Sequence, residues 1–201
     1  MSAHRPAART TTLAKLAVLP VALIASGIVV SQASYSAYSD TTTNPESNWT
    51  TGSVALSDDD ANSALFTVKN AKPGTSGTRC ITVTSTGDLP SSVKFYVTDA
   101  SSTNDLATAM NITITQGTGG SFGSCDGFAP LPGGATLYSG NMAWLGMASY
   151  SYGNGLGGWT PTGDADEART YKVDYSVAAD APNPTQGGTA TGGLTWEAQS
   201  R

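Results

Sequence analysis

The segment Tyr171-Lys172-Val173-Asp174-Tyr175-Ser176-Val177 alternates apolar and polar residues along its whole length. Successive side chains of an extended chain point to opposite faces. Tyr171, Val173, Tyr175 and Val177 therefore share one face, and Lys172, Asp174 and Ser176 share the other. That period, with its aromatic and β-branched residues, predicts a strand buried on one side. The same alternation recurs at residues 79–84, at 93–98 (Val93, Phe95 and Val97 on one face) and at 110–115. Shorter strand-like runs occupy 52–57, 64–69 and 194–198. Turn residues separate them: Pro73-Gly74, Gly87-Asp88, Gly119-Gly120, Gly133-Gly134 and Gly187-Gly188. The one extended helical candidate is 139–148, with Met142, Leu145 and Trp144 on one side, and residues 105–109 offer a further turn of helix. Short strands, few helices and glycine-rich turns predict an all-β, two-sheet sandwich of jelly-roll type with at most one short helix. Its expected core is Phe66, Ile81, Val83, Phe95, Ile112, Ile114, Val173, Tyr175 and Trp196.

The chain has 201 residues, 10 Lys and Arg against 15 Asp and Glu, and 12% charged residues. An acidic chain without basic clusters is a poor partner for nucleic acid. Its only histidine is His4, so neither a Ser-His-Asp arrangement nor a histidine zinc site can be drawn beyond the N-terminus. No metal or cofactor is expected, and no catalytic residue.

The N-terminal region carries an export signal. Arg5, Arg9 and Lys15 precede an apolar run over residues 16–30, and small residues follow it at Ser31, Ala33, Ser34 and Ser36. This order of charged, apolar and small residues is that of a secretory signal peptide. The run is short for a membrane span and is interrupted by Pro20 and Gly27. Cleavage after Ala33 or after Ser36 removes three cations and no anion, leaving 7 Lys and Arg against 15 acids, a net charge of -8. Only the uncleaved precursor would touch the membrane. In an oxidising compartment, Cys80 and Cys125 pair by default.

Other features favour plain readings. Asp58-Asp59-Asp60 lacks the alternating ligand spacing of a calcium loop and reads as a solvated hairpin turn. Gly153-Asn154-Gly155-Leu156-Gly157-Gly158 spells a dinucleotide fingerprint but lies in no βαβ unit. Residues 38–48 and 153–167 are polar segments expected to order only against something else. Trp144, Tyr150, Tyr152 and Trp159, in a glycine-rich stretch, are a candidate ligand platform or a loop cap over the sandwich end.

Several blocks resemble the TasA/camelysin (CalY) family, whose precursors are processed by a SipW-type signal peptidase. They are Ser34-Tyr35-Ser36-Ala37-Tyr38-Ser39-Asp40 at the cleavage signature and Trp49-Thr50-Thr51-Gly52-Ser53-Val54-Ala55-Leu56 at the opening strand. Further blocks are residues 65–74 with the Pro73-Gly74 turn, residues 81–87 ending in Thr86-Gly87, and the terminal Thr195-Trp196-Glu197-Ala198-Gln199. The resemblance selects cleavage between Ser36 and Ala37. The chain then divides into a signal peptide (1–36), a flexible N-terminal segment (37–48) and a sandwich domain (49–199). It implies secretion to the cell surface or matrix and self-association into biofilm fibres, with the N-terminal segment of one subunit completing a sheet of the next. The assembly strand would be Ala37, Tyr38, Ser39, Asp40, Thr41, Thr42 and Thr43. The cysteine pair and the Gly/Trp-rich insertion at 117–159 depart from the family pattern. Two other readings compete: a monomeric extracellular binding module using the aromatic loop, and a camelysin-like hydrolase, for which no His-Glu-x-x-His motif exists here.

Overall fold

The computed structural model describes residues 39–43, 54–67 and 71–201, all within one compact unit. Both sides of the proposed cleavage point, Ser36 and Ala37, lie outside the described residues, as does Tyr38.

The described residues form a two-sheet antiparallel sandwich. One sheet holds β1 (Ser39–Thr43), β10 (Ala190–Ser200), β4 (Ser91–Ser102) and β8 (Leu156–Trp159), in that order. The other runs β2 (Leu56–Asp58), β3 (Ser76–Ser85), β9 (Glu167–Val177), β5 (Met110–Thr118). On the outer edge of β5 lie β6 (Ala129–Pro130) and β7 (Thr136–Asn141). The chain crosses between sheets at β1 to β2, β3 to β4, β4 to β5, β7 to β8, β8 to β9 and β9 to β10, which is jelly-roll connectivity.

The deciding segment behaves as its alternation requires. β9 is flanked by β3, with Ile81 opposite Tyr171, and by β5, with Ile114 opposite Val173. Tyr171, Val173 and Val177 are buried. Tyr171 and Val173 meet Val93, Phe95 and Val97 of β4 and Trp196 of β10 across the sandwich, in one cluster with Ile81, Val83 and Ile114. Three rings form its centre. Tyr171 and Trp196 lie 5.1 Å apart between centroids, Phe95 and Tyr171 6.2 Å, and Phe95 and Trp196 6.3 Å. Offset aromatic pairs of this kind add roughly 0.5–1.5 kcal/mol each beyond simple burial. Phe66, Ile112 and Tyr175 are only partly buried at the margin, with Phe66 edge-on to Tyr175 at 4.9 Å.

Two short helices fall at the two helical candidates: α1 (Leu106–Ala109) and α2 (Met142–Ala148). The Asn141 side chain caps α2 by accepting a hydrogen bond from the Trp144 N–H at 2.8 Å. Leu145 turns inward, whereas Trp144 faces out at 60% exposure, against the expectation that it shares the packed side. Residues 64–67 are not a strand as expected: Leu65 and Phe66 pack side by side against the sandwich margin, which an alternating strand cannot do. The insertion supplies an edge strand to each sheet, β7 and β8, and 153–167 contains β8, an ordered turn and the start of β9.

Candidate functional site

The proposed assembly segment lies at a sheet edge. Among the described residues β1 pairs antiparallel with β10 alone, from Ser39 opposite Gln199 to Thr43 opposite Thr195. Five of the seven expected residues, Ser39 to Thr43, are therefore in a strand. β10 is longer than β1. Its residues 190–194 pair with β4 on one side and, among the described residues, with no strand on the other. This half of the β10 edge borders an apolar cleft of about 1160 Å³ that opens between the sheets, lined by Leu65, Phe66, Met110, Ile112, Tyr175 and Leu194. An uncovered strand edge presents N–H and C=O groups to any extended segment that reaches it.

The side of β10 turned away from the core is tied to β4 by polar pairs. The Tyr96 hydroxyl donates to Glu197 Oε2 at 3.0 Å, and the Thr98 and Thr195 hydroxyls meet at 3.2 Å. Burial, and then the Glu197 carboxylate, push the Tyr96 hydroxyl up to about 12. These contacts hold β10 in register with β4 independently of β1.

The four-aromatic platform does not assemble. Trp159 is a core residue, 4% exposed, opposite Val93 across the β4–β8 pair, with the Arg169 guanidinium 5.3 Å from its ring centroid. It is buried because β8 brings it under the sandwich instead of leaving it in a loop. Tyr152 lies against β4: its hydroxyl donates to the Ser92 carbonyl at 3.0 Å and the Lys94 ammonium sits 4.9 Å from its ring. Only Trp144 and Tyr150 remain open, with Met147 at 67% exposure between them in sequence, a neighbour that sequence reasoning passed over.

Cys80 and Cys125 form a disulfide, with their Cα atoms 5.2 Å apart. It fixes the glycine-rich loop after β5 onto β3. Gly123 N–H donates to the Cys80 carbonyl at 3.0 Å, and Phe122 N–H donates to Asp59 Oδ2 at 2.7 Å. Asp59 Oδ1 also accepts from Thr82 N–H at 2.8 Å, so one side chain joins the turn after β2, strand β3 and the disulfide loop. The acidic turn is not the solvated hairpin expected: Asp60 is 3% exposed.

Among the described residues no helix is long and apolar enough to cross a membrane. Compared with known families and with curated proteins, the chain matches no family model and no characterised relative.

Proposed function

We propose that this protein is a secreted surface or matrix structural subunit that assembles by exchanging its N-terminal strand between copies. The supporting observation is the position of β1: an edge strand near the proposed mature N-terminus, with a single strand neighbour among the described residues. Removing it leaves every other strand pair of both sheets intact, so a strand from another copy can take the same edge at the same register. A five-residue pairing contributes a few net hydrogen bonds of about 1 kcal/mol each, weak enough to open and strong enough to multiply along a chain of subunits. Cleavage between Ser36 and Ala37 by a SipW-type peptidase would free the donor two residues ahead of β1. The reading is structural and non-enzymatic, with other copies as the partner.

The test is a cysteine pair at opposed positions, Ser39→Cys with Gln199→Cys, in residues 37–201. Mild oxidation at high protein concentration yields covalent ladders if strands exchange and closed monomers if they do not. Exclusive monomer, together with unchanged light scattering when residues 37–43 are deleted, overturns the proposal.

A further inference from the structure

Among the described residues the large apolar side chains left exposed are Trp144 at 60%, Met147 at 67% and Tyr150 at 62%. All three belong to α2 or to the residues just after it. Trp144 and Met147 are three apart on the helix and share a face, and the exposed Ala148, four on from Trp144, lies beside them. Leu145 holds the opposite face in the core. The main chain under the patch is fixed from within. Asn141 Oδ1 accepts the Trp144 N–H, the Ser149 N–H donates to the Leu145 carbonyl at 3.0 Å, and the Val97 N–H of β4 donates to the Ser149 carbonyl at 2.9 Å. Asn154 Oδ1 accepts the Tyr150 N–H at 3.0 Å. Exposed aromatic residues on a fixed backbone lose little conformational freedom on contact. Trp, Tyr and Met are also the residues enriched at the centres of protein interfaces, where charge is depleted. Between Asp126 and Asp164 the sequence carries no charged residue.

We propose that this face of α2 is a self-association surface, on which the same helix of a second copy packs antiparallel about a two-fold axis. Two observations select a copy of this chain as the occupant. The first is self-complementarity. In a two-fold contact residue i meets j and j meets i. Trp144 then meets Met147 of the partner subunit, and Met147 meets the partner subunit's Trp144, giving two sulfur–aromatic contacts. Ala148 has no bulk to hold the helices apart. The second is charge. The chain has a formal net charge of -5, so two copies repel one another over most approaches. The charge-free stretch that carries the patch lets two acidic copies meet at the least electrostatic cost. Three side chains fall short of the ~800 Å² per partner of a standard stable interface, so the contact is weak and reversible. It uses different elements from the β1 edge and needs no strand exchange. In subunits already joined by strands, the raised effective concentration would strengthen it.

Sedimentation equilibrium tests this on residues 37–201 carrying Ser39→Cys and Gln199→Cys, oxidised in dilute solution so that β1 is locked onto its own β10. With the patch intact, the weight-average mass should rise towards twice that of the monomer as the concentration approaches about 1 mM, which detects any tighter Kd. Trp144→Lys alone and Met147→Glu alone should each stay monomeric. Both positions are exposed, so both variants should keep the melting temperature of the parent. Mixed in equal amounts, the two variants should associate again. The new lysine of one then faces the new glutamate of the other, and the second Trp144–Met147 contact is kept. An intact patch that stays monomeric at about 1 mM overturns the proposal, as does undiminished association in folded Met147→Glu. Loss in both single variants without recovery in the mixture overturns the reciprocal pairing. A monomer that instead binds phosphatidylcholine vesicles or a neutral glucan through Trp144 assigns the face to that occupant and overturns the second copy. If the lock does not close, the unlocked protein carries the same comparison of parent, single variants and mixture. In the locked protein none of these outcomes depends on strand exchange.

Discussion

Reducing the disulfide should lower stability globally without releasing the loop that it closes. Cys80 and Cys125 are 45 residues apart, and the bond removes the corresponding loop entropy from the unfolded chain. In the chain-entropy account that is worth ~4 kcal/mol for a loop of this length. For a domain of this size each kcal/mol moves the midpoint by about 2–4 °C, so reduction should lower it by roughly 8–16 °C. The folded state should change little. The loop keeps the Gly123–Cys80 and Phe122–Asp59 hydrogen bonds, and the sheet beneath it keeps its whole β3–β9 register. The assay is thermal denaturation by circular dichroism with and without a phosphine reductant, repeated on Cys80→Ser/Cys125→Ser. Amide hydrogen exchange of Phe122 and Gly123 in the reduced protein provides the local readout. A midpoint shift under about 3 °C would refute the unfolded-state argument. A full shift accompanied by rapid exchange at both amides would show that the bond itself holds the loop.

Trp159→Ala should cost about 3–5 kcal/mol, since it empties a core site, whereas Trp144→Ala should stay within about 0.5 kcal/mol of wild type; chemical denaturation of both distinguishes them. Gly163 has φ of 81°, and a Cβ there would lie 2.7 Å from the Leu89 carbonyl carbon. Gly163→Ala should therefore destabilise by about 1–3 kcal/mol, with equal loss in Gly163→Ser, measured the same way. Tyr96 titrates higher folded than unfolded, so its contribution is present below pH 10 and is lost as pH rises towards about 12. Spectrophotometric titration should show one fewer late-ionising tyrosine in Tyr96→Phe, and the stability difference between the two proteins should shrink over that alkaline range.

Strands with a buried face and a solvated one were legible because their period is written in one stretch of chain. β9, β4 and β5 needed no knowledge of their neighbours. β8 was not legible. Its sequence, Leu156-Gly157-Gly158-Trp159, has weak intrinsic strand preference, and its glycines sit at φ of 99° and 118°. It pairs because β4 offers an edge, and that pairing decides that Trp159 goes inside. The platform reading failed for the same reason: glycine context predicted a loop, whereas a partner strand distant in sequence made an edge. At 64–67, apolar residues suggested a strand, yet Leu65 and Phe66 are adjacent and both pack, so burial at the sandwich margin overrode period.

The acidic turn shows where local rules end and long-range ones begin. Alternation correctly separates Asp59 from Asp58 and Asp60, but it is silent on which side faces the protein. That is settled by the Phe122 N–H, 63 positions along the chain, which captures Asp59. The N–H lies there because the loop after β5 returns to β3, the strand that also supplies Thr82 and on which Gly123 N–H meets the Cys80 carbonyl. Once Asp59 is captured, the turn must carry Asp60 inward, and its second oxygen is left without a protein partner. The buried carboxylate is thus a consequence of the disulfide loop as much as of the turn itself. It follows that Asp59→Ala should release Asp60 toward solvent and return its carboxyl to the ordinary range. A carbon-detected NMR titration that still finds Asp60 titrating near 6 in that variant would show that the turn buries itself unaided.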